Sequence, residues 1–85
     1  MNTYIIKKYI KTLTKDKLYN LAINYNIKLN DNETTKVYNY IKNNYQKYFN
    51  NNLSKDKILK DLESILTPIN YEKLNNLYNI YKDKI

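Results

Sequence analysis

The chain predicts an all-α fold, a compact and irregular bundle of four to five short helices forming one domain over residues 1–85. Three observations carry that prediction. Apolar residues recur at helical spacing in five segments, and each segment has its own start signal. With one Pro and no Gly, the connections are short and neighbouring helices should pack on one another. A chain of this size buries only roughly 60–65% of its unfolded surface, so the core must be thin.

The first helix, about 2–12, sets Ile5, Ile6, Tyr9, Ile10 and the following Leu13 in one arc, with Lys7, Lys8 and Lys11 opposite. Thr14 stands as N-cap of a second helix, about 15–25, whose inner face is Leu18, Leu21, Ala22 and Tyr25. Asn26 suits a left-handed C-terminal turn, Asn being the next choice after Gly. The run Asn30-Asp31-Asn32-Glu33 has capping-box spacing, with Asn30 or Asp31 as the cap. It opens a third helix, about 32–48, expected to bury Val37, Tyr38, Ile41, Tyr45 and Tyr48.

The triple Asn50-Asn51-Asn52 is the clearest loop. Ser54 caps a fourth helix, about 55–66, with Ile58, Leu59, Leu62, Ile65 and Leu66 as the most apolar stripe in the chain. Asp56 with Lys60, and Lys57 with Asp61, are four apart and add surface support. Thr67-Pro68 ends that helix and starts a fifth, about 68–83, with Thr as cap and Pro at the first helical position. Leu74, Leu77, Tyr78 and Tyr81 are its expected core residues. Lys-Asp-Lys recurs at 15–17, 55–57 and 82–84; the first two follow a capping Thr or Ser and are helix-start chemistry.

The alphabet excludes most chemistries. All fifteen basic residues are Lys; Arg, His, Cys, Gly and Trp are absent, and Tyr appears eleven times. Without Cys there are no disulfides, thiolate metal sites or thiol nucleophile, and the reducing cytoplasm is the expected compartment. Lys7, Lys8 and Lys11 break the N-terminal apolar stretch, which rules out a signal-peptide core, and no run approaches the ~18 apolar residues of a membrane span. A soluble protein is expected. The closest carboxylates, Asp31 with Glu33 and Asp61 with Glu63, are two apart and do not face each other on a helix. A non-enzymatic protein without cofactor or metal is therefore expected. Asn30 to Glu33 lacks the Gly and the distant bidentate Glu of a calcium loop, so the cap reading is preferred.

The formal charge of +7 points toward nucleic acid. Lys, Asn, Ile and Tyr are also the residues of A/T-rich codons, so coding bias is an alternative source for part of that charge. Its placement is more informative. Residues 1–50 carry nine Lys against Asp16, Asp31 and Glu33, a net +6, whereas residues 51–85 carry six Lys against five acids, a net +1.

On the third helix Lys36, Tyr40, Asn43 and Lys47 share one arc opposite the core face. Lys neutralises phosphates, Tyr stacks on an unpaired base and Asn reaches a base edge, so this face joins Lys7, Lys8 and Lys11 as the candidate nucleic-acid surface. The plainer reading is an ordinary solvated face. Tyr19 and Ile23 on the second helix, and Ile69 and Ile80 on the fifth, lie away from the main apolar stripes. The preferred reading sandwiches both helices between neighbours; the other makes these four residues an interface for a protein partner or for self-association. The first helix could alternatively rest on an anionic membrane, but a helix of that length more often covers its own core.

The strings LYNLAINYNIKLN at 18–30 and ILTPINYEKLNNLYNIY at 65–81 resemble, in order and spacing, a family of short uncharacterised helical proteins of low-GC Gram-positive bacteria, a domain of unknown function. The shared features are Ala22, Tyr25, Ile27 and Leu29 after a helix starting near Thr14, then Thr67-Pro68 ahead of a terminal helix. These are packing and capping residues, so the resemblance implies a fold and no mechanism. Residues 13–41 also resemble the SAP-type helix-loop-helix module, a DNA-binding element. Asn26 stands where that module has Gly, and no Arg or Lys cluster opens the following helix.

Two functions are consistent with these residues. One is a sequence-nonspecific nucleic-acid-binding accessory protein using Lys7, Lys8, Lys11, Lys36, Tyr40, Asn43 and Lys47. The other is a protein-interaction or scaffold subunit using Tyr19, Ile23, Ile69 and Ile80.

Overall fold

With no glycine to stop a helix, the ends of these helices are set by Thr, Asn, Ser and one Lys. The computed structural model describes residues 3–81 and places five helices there: α1 (Thr3–Lys11), α2 (Lys15–Asn24), α3 (Asp31–Phe49), α4 (Lys55–Ile65) and α5 (Pro68–Tyr81). The all-α bundle is as expected. The third Lys-Asp-Lys, the outer ends of the first and fifth helices and the Tyr81 side chain lie outside the described residues.

The N-terminal caps follow the predicted residues. Thr14 Oγ1 accepts from the Lys17 N–H at 3.2 Å and Ser54 Oγ from the Lys57 N–H at 3.1 Å. Of the two candidates for α3 it is Asn30 that caps: its Oδ1 accepts from the Glu33 N–H at 2.7 Å while Glu33 Oε1 accepts from the Asn30 N–H at 3.0 Å.

Two helices end on the same device. Asn26, at φ 66°, follows α2, and Asn51, at φ 63°, follows α3. Around the first, the Ile27 N–H returns to the Ala22 carbonyl and the Asn26 N–H to Ile23; around the second, Asn52 returns to Lys47 and Asn51 to Tyr48. These are Schellman turns with Asn in the position that Gly usually takes. α1 ends differently. The Thr12 N–H and hydroxyl serve the Lys8 carbonyl, the same hydroxyl reaches Tyr9, and Lys42 Nζ donates to the Ile10 and Lys11 carbonyls at 2.8 Å each. All four terminal carbonyls of α1 thereby find donors, and a cation sits at the negative end of the helix.

α3 is the central element, with α1, α2 and α4 packed on it, and α5 packs on α4. The buried core is Leu13, Leu18, Ile27, Leu29, Val37 and Leu66, surrounded by Ala22, Tyr38, Ile41, Leu62, Ile65, Tyr71, Leu74 and Leu77. Leu13, Ile27, Leu29 and Leu66 lie in connections rather than in helices. Short connections that carry apolar side chains inward are how so small a bundle closes its core.

Several expected inner-face residues are outside. Ile5 is 59% exposed and Tyr9 45%, leaving Ile6 and Ile10 as the half-buried isoleucines of α1; Leu21 and Tyr25 are also exposed on α2. The sandwich expected for α2 and α5 is overturned as well. Ile23, Ile69 and Ile80 are exposed and Tyr19 is half-buried. The reason is topological: among the described residues α1 and α2 each pack along α3 alone, and α5 packs along α4 with its first turn tied to α3 through Asn70 and Glu33. One neighbour covers one stripe, and a wider apolar arc leaves its flank in water.

Candidate nucleic-acid interface

α1 and α3 lie side by side, and on one flank they leave a cleft of about 550 Å³. Its walls are Tyr4, Lys7, Lys8, Lys11 and Thr12 from the α1 side and Tyr45, Gln46 and Asn50 from the α3 side. Helical spacing explains the α1 wall: residues 4, 7, 8 and 11 recur at i, i+3, i+4 and i+7 on one face. The volume falls within the ~300–1,000 Å³ typical of ligand pockets.

All three lysines expected on the first helix therefore meet in one place. Lys7 Nζ stands 5.4 Å from the centroid of the Phe49 ring, a cation–π contact between the ammonium and a residue of α3. Gln46 Nε2 donates to the Tyr45 hydroxyl at 3.5 Å. Tyr45, expected on the core face, is half-buried and belongs to the wall of the cleft.

The expected face of α3 divides. Lys36, Asn43 and Lys47 are exposed, and Asn43 and Lys47 continue the helix face that carries Gln46 and Asn50 to the cleft. Lys36 lies two turns before Asn43. Tyr40, expected to point outward, is instead half-buried against α4, where its hydroxyl donates to Asp61 Oδ2 at 2.6 Å. Burial, then the hydrogen bond and charge of Asp61, push its phenol above the ordinary value. Asp61 also accepts from Lys57 Nζ at 2.8 Å, closing one of the two expected ion pairs, and the Lys57 and Tyr40 hydrogen bonds hold its carboxyl below the usual range. Tyr40 is thus a strut between α3 and α4 rather than a stacking platform. Lys42 is likewise committed: besides capping α1, its ammonium lies 5.6 Å from the Tyr38 ring centroid.

The family model described as "Protein of unknown function (DUF2624)" matches residues 1–82. The chain belongs to that family. Neither the curated proteins nor the solved structures contain a match. Within this DUF2624 chain the residues named above for the resemblance serve packing and capping. Ile27 and Leu29 are buried, Ala22 packs on the core, Tyr25 is the C-cap of α2, and Thr67-Pro68 opens α5.

The sequence reading missed Tyr4, Tyr45, Gln46 and Asn50 as site residues. Tyr4 does fall on the Lys7/Lys11 flank of α1, a signal the periodicity contains. The α3 wall depends on which side of α3 receives α1, and no single-helix pattern encodes that.

Proposed function

We propose that this chain is a non-enzymatic, sequence-nonspecific nucleic-acid-binding accessory protein of the cytoplasm, with the α1/α3 cleft as its contact surface. The observation that supports this reading is the convergence of Lys7, Lys8 and Lys11 on one cleft with Tyr4, Tyr45, Gln46 and Asn50. Three ammonium groups within two turns neutralise successive phosphates. Arg, the better residue for bidentate guanine contacts, is absent, so charge contributes affinity with little base readout.

The test is a salt titration of binding to mixed DNA and RNA. Log affinity should fall linearly with log salt, and the triple change Lys7→Gln, Lys8→Gln, Lys11→Gln should lower the slope by about 2 to 3 for three lost phosphate contacts. Absence of binding at low salt ends the proposal.

A second reading rests on α5. Ile69 and Ile80 are eleven residues apart, fall on one helix face, and are 68% and 62% exposed. A protein partner or a second copy would cover them. Self-association that tolerates salt and disappears in Ile80→Asp, followed by sedimentation, would favour this reading.

A further inference from the structure

We propose that the α1/α3 cleft receives an unpaired base together with the phosphates on either side of it, which makes this chain a binder of single strands rather than of duplex. The inference deepens the proposed function and rests on it.

A site for phosphate alone needs donors and little else, whereas these walls combine the Tyr45 ring and the methylene stems of Lys7, Lys8 and Lys11 with the amides of Gln46 and Asn50. An apolar wall beside amide groups is the surface a base requires: the ring offers its face to stacking, and the amides offer both donors and acceptors to the edge. The ammonium heads, carried on flexible stems, can then reach the flanking phosphates. Exposed Asn43 and Lys47 extend the same face of α3 past Gln46 and give the strand a continuing polar and cationic track.

Duplex cannot use this geometry. Its bases are stacked and paired inside the helix, so only phosphates would reach the lysines, and the 550 Å³ recess would stay unfilled. The structure also holds the two walls in register without help from a ligand. Lys42 fixes the C-terminal end of α1 to α3, and Lys7 meets Phe49 at 5.4 Å. A preformed recess spares the ligand the cost of ordering it.

The experiment compares four probes on the intact chain at low salt: a thymidine oligomer, an oligomer of the same length with abasic sugars, the corresponding duplex, and thymidine monophosphate as the free nucleotide. The oligomer should bind at least about tenfold tighter than the abasic strand and the duplex, the increment expected for one stacked base. Tyr45→Leu should bring the oligomer down to the abasic level and leave abasic binding unchanged. Because all four ligands are compared on the unaltered protein, the result does not depend on that variant folding.

Equal affinity for the abasic strand and the oligomer would overturn base recognition while leaving the charge-based function standing. A monophosphate that binds as tightly as the oligomer would overturn the strand as ligand. No binding of any probe would overturn both proposals. Binding to vesicles of phosphatidylglycerol and phosphatidylcholine, abolished by Ile5→Asp and unaccompanied by oligomer binding, would overturn them in favour of a membrane surface.

Discussion

Glu33 and Asn70, thirty-seven positions apart, form a buried pair in which the Asn70 amide donates to both carboxylate oxygens at 2.9 and 3.1 Å. The same carboxylate accepts from the Asn30 N–H at 3.0 Å and the Thr67 N–H at 2.8 Å. Asn70 Nδ2 also reaches the Lys28 carbonyl at 3.0 Å. One side chain therefore caps the start of α3 and ties it to the start of α5. Glu33 is only 2% exposed, so its charge is held by these donors rather than by water.

Removing Glu33 strands several donors at once. Glu33→Ala should destabilise the fold by about 3 kcal/mol, with Glu33→Gln costing less because one oxygen still accepts. Urea denaturation measures both. In a double-mutant cycle with Asn70→Ala, the coupling should exceed about 0.5 kcal/mol, as expected for residues in direct contact.

Acid should loosen the bundle through the same residue. Burial works against the charged carboxylate of Glu33, but the hydrogen bonds from Asn30, Thr67 and Asn70 outweigh it and hold its titration below the ordinary 4.5. As pH falls, the unfolded chain takes up this proton first. The stabilisation is complete above about 4.5 and is lost as pH drops through the lower folded-state value. Glu33→Gln should flatten this acid limb in a series of denaturation curves from neutral to acid pH. Asp61, also held low by Lys57 and Tyr40, contributes in the same direction and remains in the variant.

The two Asn turns should respond alike, losing stability with Ala and keeping it with Gly. Asn26→Ala and Asn51→Ala place a Cβ-bearing residue without Asn's local hydrogen bonding at positive φ, and each should cost about 1 kcal/mol. Asn→Gly at either site should be near neutral, since Gly reaches that conformation freely but raises the entropy of the unfolded chain. Thermal melts of the four variants give the comparison.

Loss of Lys42 should be felt first in α1. Lys42→Met keeps the stem and removes the donor to the Ile10 and Lys11 carbonyls, so α1 should fray and global stability should fall by about 1 kcal/mol. Amide hydrogen exchange should quicken in α1 before it quickens in α3. Equal change in both helices would show that the clamp is not local.

By itself the sequence determined the order of the helices, the caps at Thr14 and Ser54 and the left-handed turn at Asn26, because these depend on residues within one turn of each other. It also placed Lys7, Lys8 and Lys11 on a common face of α1. What it could not determine was which side of each helix meets a neighbour. Ile5, Tyr9, Leu21 and Tyr25 read as core because their arcs are apolar, yet each of their helices has a single packing partner that covers part of the arc. Tyr40 read as a free ring until α4 brought Asp61 to its hydroxyl, and Glu33 read as a cap alone until α5 brought Asn70 to its carboxylate. The cleft follows the same rule. Its α1 wall was legible from spacing, whereas Tyr45, Gln46 and Asn50 became part of it only through the side on which α1 packs against α3. Local hydrogen bonds and helical periodicity are properties of short stretches of chain; the pairing of distant surfaces is decided by how the whole bundle excludes water.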